Sequence, residues 1–330
     1  MKKRHLLILV LAAALFPPLC RAAEQFAATA DPAEAAKDPD FAIQGEYTGN
    51  TPDGVVGVQV IALGDGEFEA VLSKGGLPGD GWDGEKPRGS TKGKRGEDGS
   101  VTFLKDEWTA VLKDGKITAT TTADANLTVV LDRVERESST MGAKAPEGAI
   151  VLFDGSAEAA QKHWKGAKLD GDLLCEGITT VEEFGDFTLH LEFRLPWMPK
   201  ARGQARGNSG LYLGGRYEVQ MLDSFGLAGV DNECGGIYKT AEPKQNLCYP
   251  PLRWQTYDVE FTAAKFDEAG NKTANAKATV KHNGYVIHEN LELPAPTGGA
   301  QKKDEKGPGP LHLQNHGNPV RYRNIWLVKK

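Results

Sequence analysis

The stretch Tyr217-Glu218-Val219-Gln220-Met221-Leu222-Asp223 carries residue types that can do chemistry at a spacing that would expose them together. Tyr217, Val219 and Met221 alternate with Glu218 and Gln220, the period-2 pattern of a strand with one apolar and one polar face. Just upstream runs Asn208-Ser209-Gly210-Leu211-Tyr212-Leu213, and Gly214-Gly215 supplies a turn, so the two segments form a hairpin. Two other segments place large polar groups on a single parity: His190, Glu192 and Arg194, and then His312, Gln314 and His316. If these strands share one sheet, their polar faces align as a surface of carboxylates, amides, imidazoles and guanidinium. Such a surface suits a sugar, which presents hydroxyls in every direction. The competing reading is an antiparallel sheet with its second face in water. Solvent faces, however, favour Lys, Glu and Thr over His, Gln and Arg.

The elements that must position these residues belong to a chain of 330 residues, long enough for one large or two ordinary domains. The net charge of −6 argues against a nucleic-acid partner. Residues 1–22 have the layout of a signal peptide: a basic start at Lys2, Lys3 and Arg4, an apolar run over 6–16, and small residues around Ala22. That run is too short to span a bilayer, so no transmembrane helix is expected once the signal is removed. The bulky Leu19 argues against a lipid anchor at Cys20. Export to the periplasm or beyond is therefore expected, with Cys175, Cys234 and Cys248 in an oxidising compartment. A Cys234–Cys248 disulfide across a loop-rich stretch would stabilise by roughly 3 kcal/mol. Cys175 reads as a buried free thiol, and zinc is disfavoured because no CxxC pair exists.

Residues 23–40 read as a spacer. From residue 41 to 135, short alternating segments with Gly64-Asp65-Gly66 and Asp114-Gly115 turns predict a small antiparallel β domain. It is interrupted by a long Gly-, Lys- and Asp-rich loop from Lys74 to Gly99, whose cations Lys86, Arg88, Lys92, Lys94 and Arg95 read as a solvated set. Residues 136–148 are polar and read as a linker. About ten strand segments then fill 149–330, with a type I′ signal at Asn283-Gly284. The expected fold class is all-β, with a C-terminal jelly-roll sandwich following the smaller domain. No dinucleotide or phosphate-binding glycine pattern occurs in context, so no nucleotide cofactor is expected.

Several motifs in fixed order carry a resemblance: Leu152-Phe153-Asp154-Gly155, Phe184-Gly185-Asp186-Phe187, Asn208-Ser209-Gly210-Leu211-Tyr212 and the Tyr217–Asp223 stretch. They continue with Gly235-Gly236-Ile237-Tyr238, Trp254-Gln255-Thr256-Tyr257, His282-Asn283-Gly284, Leu313-Gln314-Asn315-His316-Gly317 and Tyr322-Arg323-Asn324-Ile325-Trp326. Over about residues 149–330 the chain resembles the 3-keto-disaccharide hydrolase (3-keto-glycoside hydrolase/lyase) domain family of exported bacterial proteins. The resemblance does not cover the first domain.

It implies a concanavalin-like jelly roll acting on glycosides whose C3 hydroxyl has been oxidised to a ketone. The ketone acidifies the C2 proton; a base removes it, the enolate expels the C1 substituent, and water addition completes net hydrolysis. Glu218 is then the candidate base, provided burial raises its pKa. His316 and Arg321 are candidates to stabilise the enolate or leaving group. Asn208, Gln220, Asp223 and Gln314 would bind hydroxyls, and Tyr238 or Trp254 would stack on the ring. A divalent metal held by Glu218 with His or Asp partners is an alternative stabiliser. Each residue also has a plain framework role: Asp223 in a turn, Asn208 as a hairpin cap, Trp254 in the core, His316 ordering a loop, Arg321 paired to an acid. Two alternatives from other classes remain. A retaining sandwich glycosidase needs two close carboxylates, but the position after Glu218 on its parity is the amide Gln220. A lectin-like binding module would need no base at all.

Overall fold

The computed structural model describes residues 28–84, 88–124 and 126–330. The expected signal segment and Lys86 lie outside these residues. Among the described residues no helix is long and apolar enough to cross a membrane.

Eight antiparallel strands form a closed barrel: Gly45–Thr51, Gly54–Gly64, Glu67–Lys74, Gly89–Arg95, Val101–Lys105, Trp108–Lys113, Lys116–Thr121 and Thr128–Val134. The first strand pairs with the last through Glu46 opposite Val134, which removes the sheet edges. Tight reversals fall where expected, with Asp65 and Gly66 at φ 56° and 75°, and Asp114 and Gly115 at 48° and 75°. The Lys74–Gly99 stretch departs from expectation by contributing the Gly89–Arg95 strand. Its sequence hides the strand because the position facing Phe103 is glycine; a Cβ on Gly93 would lie 2.5 Å from that ring. Lys92 and Lys94 are exposed, as the sequence suggests, but two arginines of the stretch are not simply solvated. Arg95 pairs with the buried Asp40, and Arg88 donates to Gln59 and to the carbonyls of Gly226 and Leu227.

The second body is a two-sheet sandwich. One five-stranded sheet runs Trp164–Lys165, Ile178–Thr180, His312–Leu313, Ser209–Leu213, Tyr217–Met221. The eight-stranded sheet runs Leu169–Asp170, Leu173–Cys175, Arg321–Lys329, Phe187–Arg194, Trp254–Thr262, Ala276–His282, Tyr285–Leu293, with Ile150–Phe153 also paired to Arg321–Lys329. Leu211, Leu213, Val219, Met221 and Leu313 of the first sheet meet Leu189, Leu191, Phe193, Val259, Phe261 and Leu327 of the second in one core. Asn283 and Gly284 take φ 51° and 87°, as a type I′ turn requires.

This topology corrects one expectation. The strand bearing His190, Glu192 and Arg194 lies in the larger sheet, not beside Glu218. Alternation says which residues share a face of a strand, but not which sheet the strand joins. The outer face of that larger sheet is instead covered by the residues read as a linker. Thr140 donates to Asp258 at 2.6 Å, Ser138 and Thr256 share a hydrogen bond at 2.6 Å, and the Gly142 N–H donates to Glu192 at 2.7 Å. Trp326 and Asn324 both donate to the Ala143 carbonyl. The spacer holds two short helices, Pro32–Ala35 and Pro39–Ile43, capped by Asp31 and Asp38.

Candidate functional site

The Gly214-Gly215 turn fixes the register of the Ser209–Leu213 and Tyr217–Met221 strands: Tyr212 pairs with Glu218 and Gly210 with Gln220. On the other side Tyr212 pairs with His312, and the Gln314 N–H donates to the Gly210 carbonyl. The odd-numbered neighbours Leu211, Leu213, Val219 and Met221 fill the sandwich core. Asn208, Tyr212, Glu218, Gln220, His312 and Gln314 therefore share the opposite face of the small sheet.

Glu218 is the centre of that face. Only 3% of it is exposed. Burial raises its pKa to about 7, against the opposing effect of the Tyr212 hydroxyl, which donates to Oε2 at 2.7 Å. Burial and the neighbouring carboxylate together push the Tyr212 phenol up, so it stays a donor. Gln314 in turn donates from Nε2 to the Tyr212 oxygen at 3.2 Å. The carboxylate lies flat over Gly210, where a Cβ would sit 2.3 Å from Oε1. Only glycine leaves that space.

Polar groups surround this pair. The Asn208 side-chain amide donates to the Gln204 carbonyl at 2.7 Å, and the Gln220 amide reaches Gln204 Oε1 at 3.2 Å. Asn208 Oδ1 and Gln314 Oε1 are buried with no hydrogen-bond partner. Buried acceptors left open are rare and mark where a ligand hydroxyl can donate. Half-buried Tyr238 stands beside Gly298 and donates its N–H to the Glu218 carbonyl at 3.1 Å. Thr297 accepts the Glu218 N–H at 2.9 Å, and Gly299 backs onto the Tyr212 hydroxyl. The arrangement can take up a proton on Glu218 and grip a polyhydroxylated ligand around it.

The sequence model of the 3-keto-alpha-glucoside-1,2-lyase-like domain matches residues 148–328. The chain belongs to this family. A crystal structure provisionally named a glycosyl hydrolase, from Parabacteroides distasonis ATCC 8503, is 33% identical to the lyase-like domain's chain. It covers 56% of this chain and 85% of its own, with a TM-score of 0.51. Two further structures of the same description and organism are 18% and 20% identical, cover 56% and 55% of this chain and 94% and 99% of theirs, and have TM-scores of 0.39 and 0.37. No functionally curated protein matches. The family and its neighbours make the chain a carbohydrate-active enzyme.

Not every expected residue of the lyase-like domain comes to this face. Arg321 lies in the larger sheet, paired to Asp170 at 2.9 Å and Glu176 at 3.1 Å. Trp254 is in that sheet too, with the guanidinium groups of Arg323 and Arg194 over its ring at 4.1 and 4.9 Å, where a sugar would have to stack. Asp223 accepts from Arg206 at 2.6 Å and from the Phe225 N–H, so its carboxylate serves the framework. His316 is exposed on the turn after Gln314. The expected disulfide is not formed. Cys234 and Cys248 are free, buried thiols hydrogen-bonded to each other, with Cys234 also against the Tyr257 hydroxyl at 3.3 Å and Cys248 against the Leu222 carbonyl at 3.5 Å. Cys175 is free and half-buried. Among the described residues no three His, Cys, Asp or Glu side chains gather as a cation site, and the side-chain partner of Glu218 is the Tyr212 phenol rather than the His or Asp of the alternative metal-bound arrangement. Tyr212, Gln204 and Thr297 complete the site without having been singled out. Tyr212 was recoverable, since a Gly214-Gly215 turn places it opposite Glu218.

Proposed function

We propose that the chain cleaves 3-keto-glycosides, including 3-keto-disaccharides, with Glu218 as the base that removes the C2 proton. The observation that carries this reading is a buried carboxylate whose pKa stands at about 7 beside open hydrogen-bond acceptors. A general base works best when its pKa matches the operating pH. The C2–H electron pair becomes the enolate of the C3 ketone. The C1–O bond then breaks, the leaving oxygen takes a proton, and water adds across C1 and C2. Tyr212 holds the carboxylate in place, while Asn208, Gln220 and Gln314 grip ring hydroxyls and Tyr238 flanks the sugar. His316, two residues beyond Gln314 on the exposed turn, is assigned to protonate the leaving oxygen. The basic and apolar N-terminus supports action outside the cytoplasm.

The test is incubation with a 3-keto-glucoside and with its unoxidised parent, for the native chain and for Glu218→Gln. Release from the keto form alone, abolished in Glu218→Gln while sugar binding persists, is expected. Equal cleavage of both sugars, or an unimpaired variant, overturns the assignment, and binding without turnover would leave a lectin.

A further inference from the structure

The barrel is packed at one end and hollow at the other. Inward positions near the Gly64–Gly66 turn carry large buried groups such as Val60, Phe68, Val101 and Leu112. Toward the opposite end the inward positions include alanines and open to solvent. Along one strand, Phe68 is 0% exposed, Ala70 is half-buried and Leu72 is 43% exposed. Ala110 faces Ala119 directly across a strand pair. The result is an open cup of about 340 Å³ walled by Ala70, Leu72, Phe103, Trp108, Ala110 and Ala119. An eight-stranded barrel is just wide enough to be filled by its own side chains or to hold one small ligand. A lumen serving only structure would carry larger residues than three alanines, because unfilled apolar walls forfeit dispersion contacts.

We propose that this cup binds a small, planar, largely apolar ligand of the fused two-ring aromatic class. Its shape selects the class. About two inward side chains per strand line it, a depth on the order of 7 Å from the strand rise, too shallow for an extended acyl chain. A closed apolar cavity of about 150 Å³ takes benzene, so a space more than twice as large suits two fused rings. Phe103 and Trp108 offer aromatic walls. At the rim Lys105 reaches the Ser90 carbonyl at 3.2 Å and stands ready for a ligand hydroxyl or carboxylate. The site is independent of the Glu218 face.

The probe is 2-naphthol, titrated into the full chain by calorimetry and by quenching of tryptophan emission. Saturable binding of one equivalent is expected, with the quench diminished in Trp108→Phe. Ala110→Phe and, separately, the milder Ala119→Val fill the cup and should weaken binding, the former by about tenfold or more, while sugar cleavage is unchanged. Absence of saturable binding, affinity unchanged from the parent in both filled variants, tighter capture of decanoate than of 2-naphthol, or loss of binding as the chain self-associates would each overturn the proposal.

Discussion

Glu218 keeps its proton more firmly in the folded chain than in the unfolded one. Its carboxyl moves from an ordinary 4.5 to about 7 because burial disfavours the charged form. The stability this contributes is present below the ordinary value and is lost as pH rises toward 7. Above that, the folded chain carries a poorly solvated charge at a cost on the order of 3 kcal/mol. Glu218→Gln should therefore unfold at a higher temperature than the parent at pH 8 and close to it at pH 4, as scanning calorimetry would show. Turnover of the parent should climb with pH through about 7 as the base form appears. Gly210→Ala tests the carboxylate's seat. The new Cβ meets the end of a side chain rather than backbone, so the fold should survive while kcat/KM falls by about a hundredfold from the displaced base. Period-2 alternation made the Glu218 face legible from sequence. It gave no means of separating Gln314, which sits on that face, from Arg321 and Trp254, which sit on another sheet under their own ionic and cation–π partners.

Between elements, segment 138–143 behaves as a strap. It lies over His190, Glu192, Thr256 and Asp258, a polar set on the outer face of the larger sheet. Burial would raise the Glu192 pKa, but hydrogen bonds from His190, Asn324, Arg323 and the Gly142 N–H overcome it and hold the group at about 2. His190 is drawn upward by Asp258 and Glu192 against the opposing effect of burial. A depressed carboxyl contributes stability above its unfolded value, and that contribution disappears as pH falls from about 4.5 toward 2. Glu192→Gln leaves Arg323 without its anion and His190 with Asp258 alone, and should destabilise by roughly 3 kcal/mol at pH 7. The gap should narrow at pH 3, where the parent begins to lose the same charge; urea titrations at the two pH values would measure it. The strap escaped sequence reading because hydrogen bonds hold it, and those leave no hydrophobic period. The Gly89–Arg95 strand was missed for a related reason, glycine standing where an apolar residue would betray it.

At the scale of the molecule, barrel and sandwich form one interlocked body. Ile61 and Val71 of the barrel belong to the sandwich core, and Trp197 and Leu252 of the sandwich belong to the barrel core. Arginines stitch the seam: Arg202 donates to the Leu63 carbonyl at 2.7 Å, and Arg206, paired to Asp223, reaches Ala62 and Gln44 at 3.4 Å. The native chain should unfold in a single calorimetric transition. Arg206→Ala removes the cation paired to the buried Asp223 and should lower stability by about 3–5 kcal/mol, splitting the transition in two. The all-β class and the two-part layout could be read from strand spacing and turn chemistry; the seam could not, because its contacts run between residues more than a hundred positions apart.

A gene fragment trimmed at residue 149 to isolate the sugar-cleaving part would discard Ser138, Thr140 and Gly142 with the upstream residues. Glu192, Thr256 and Asp258 would lose these partners and Trp326 its acceptor on Ala143, so the shortened product should give less folded protein than one begun a dozen residues earlier. Expression trials of the two lengths, side by side, would expose the difference.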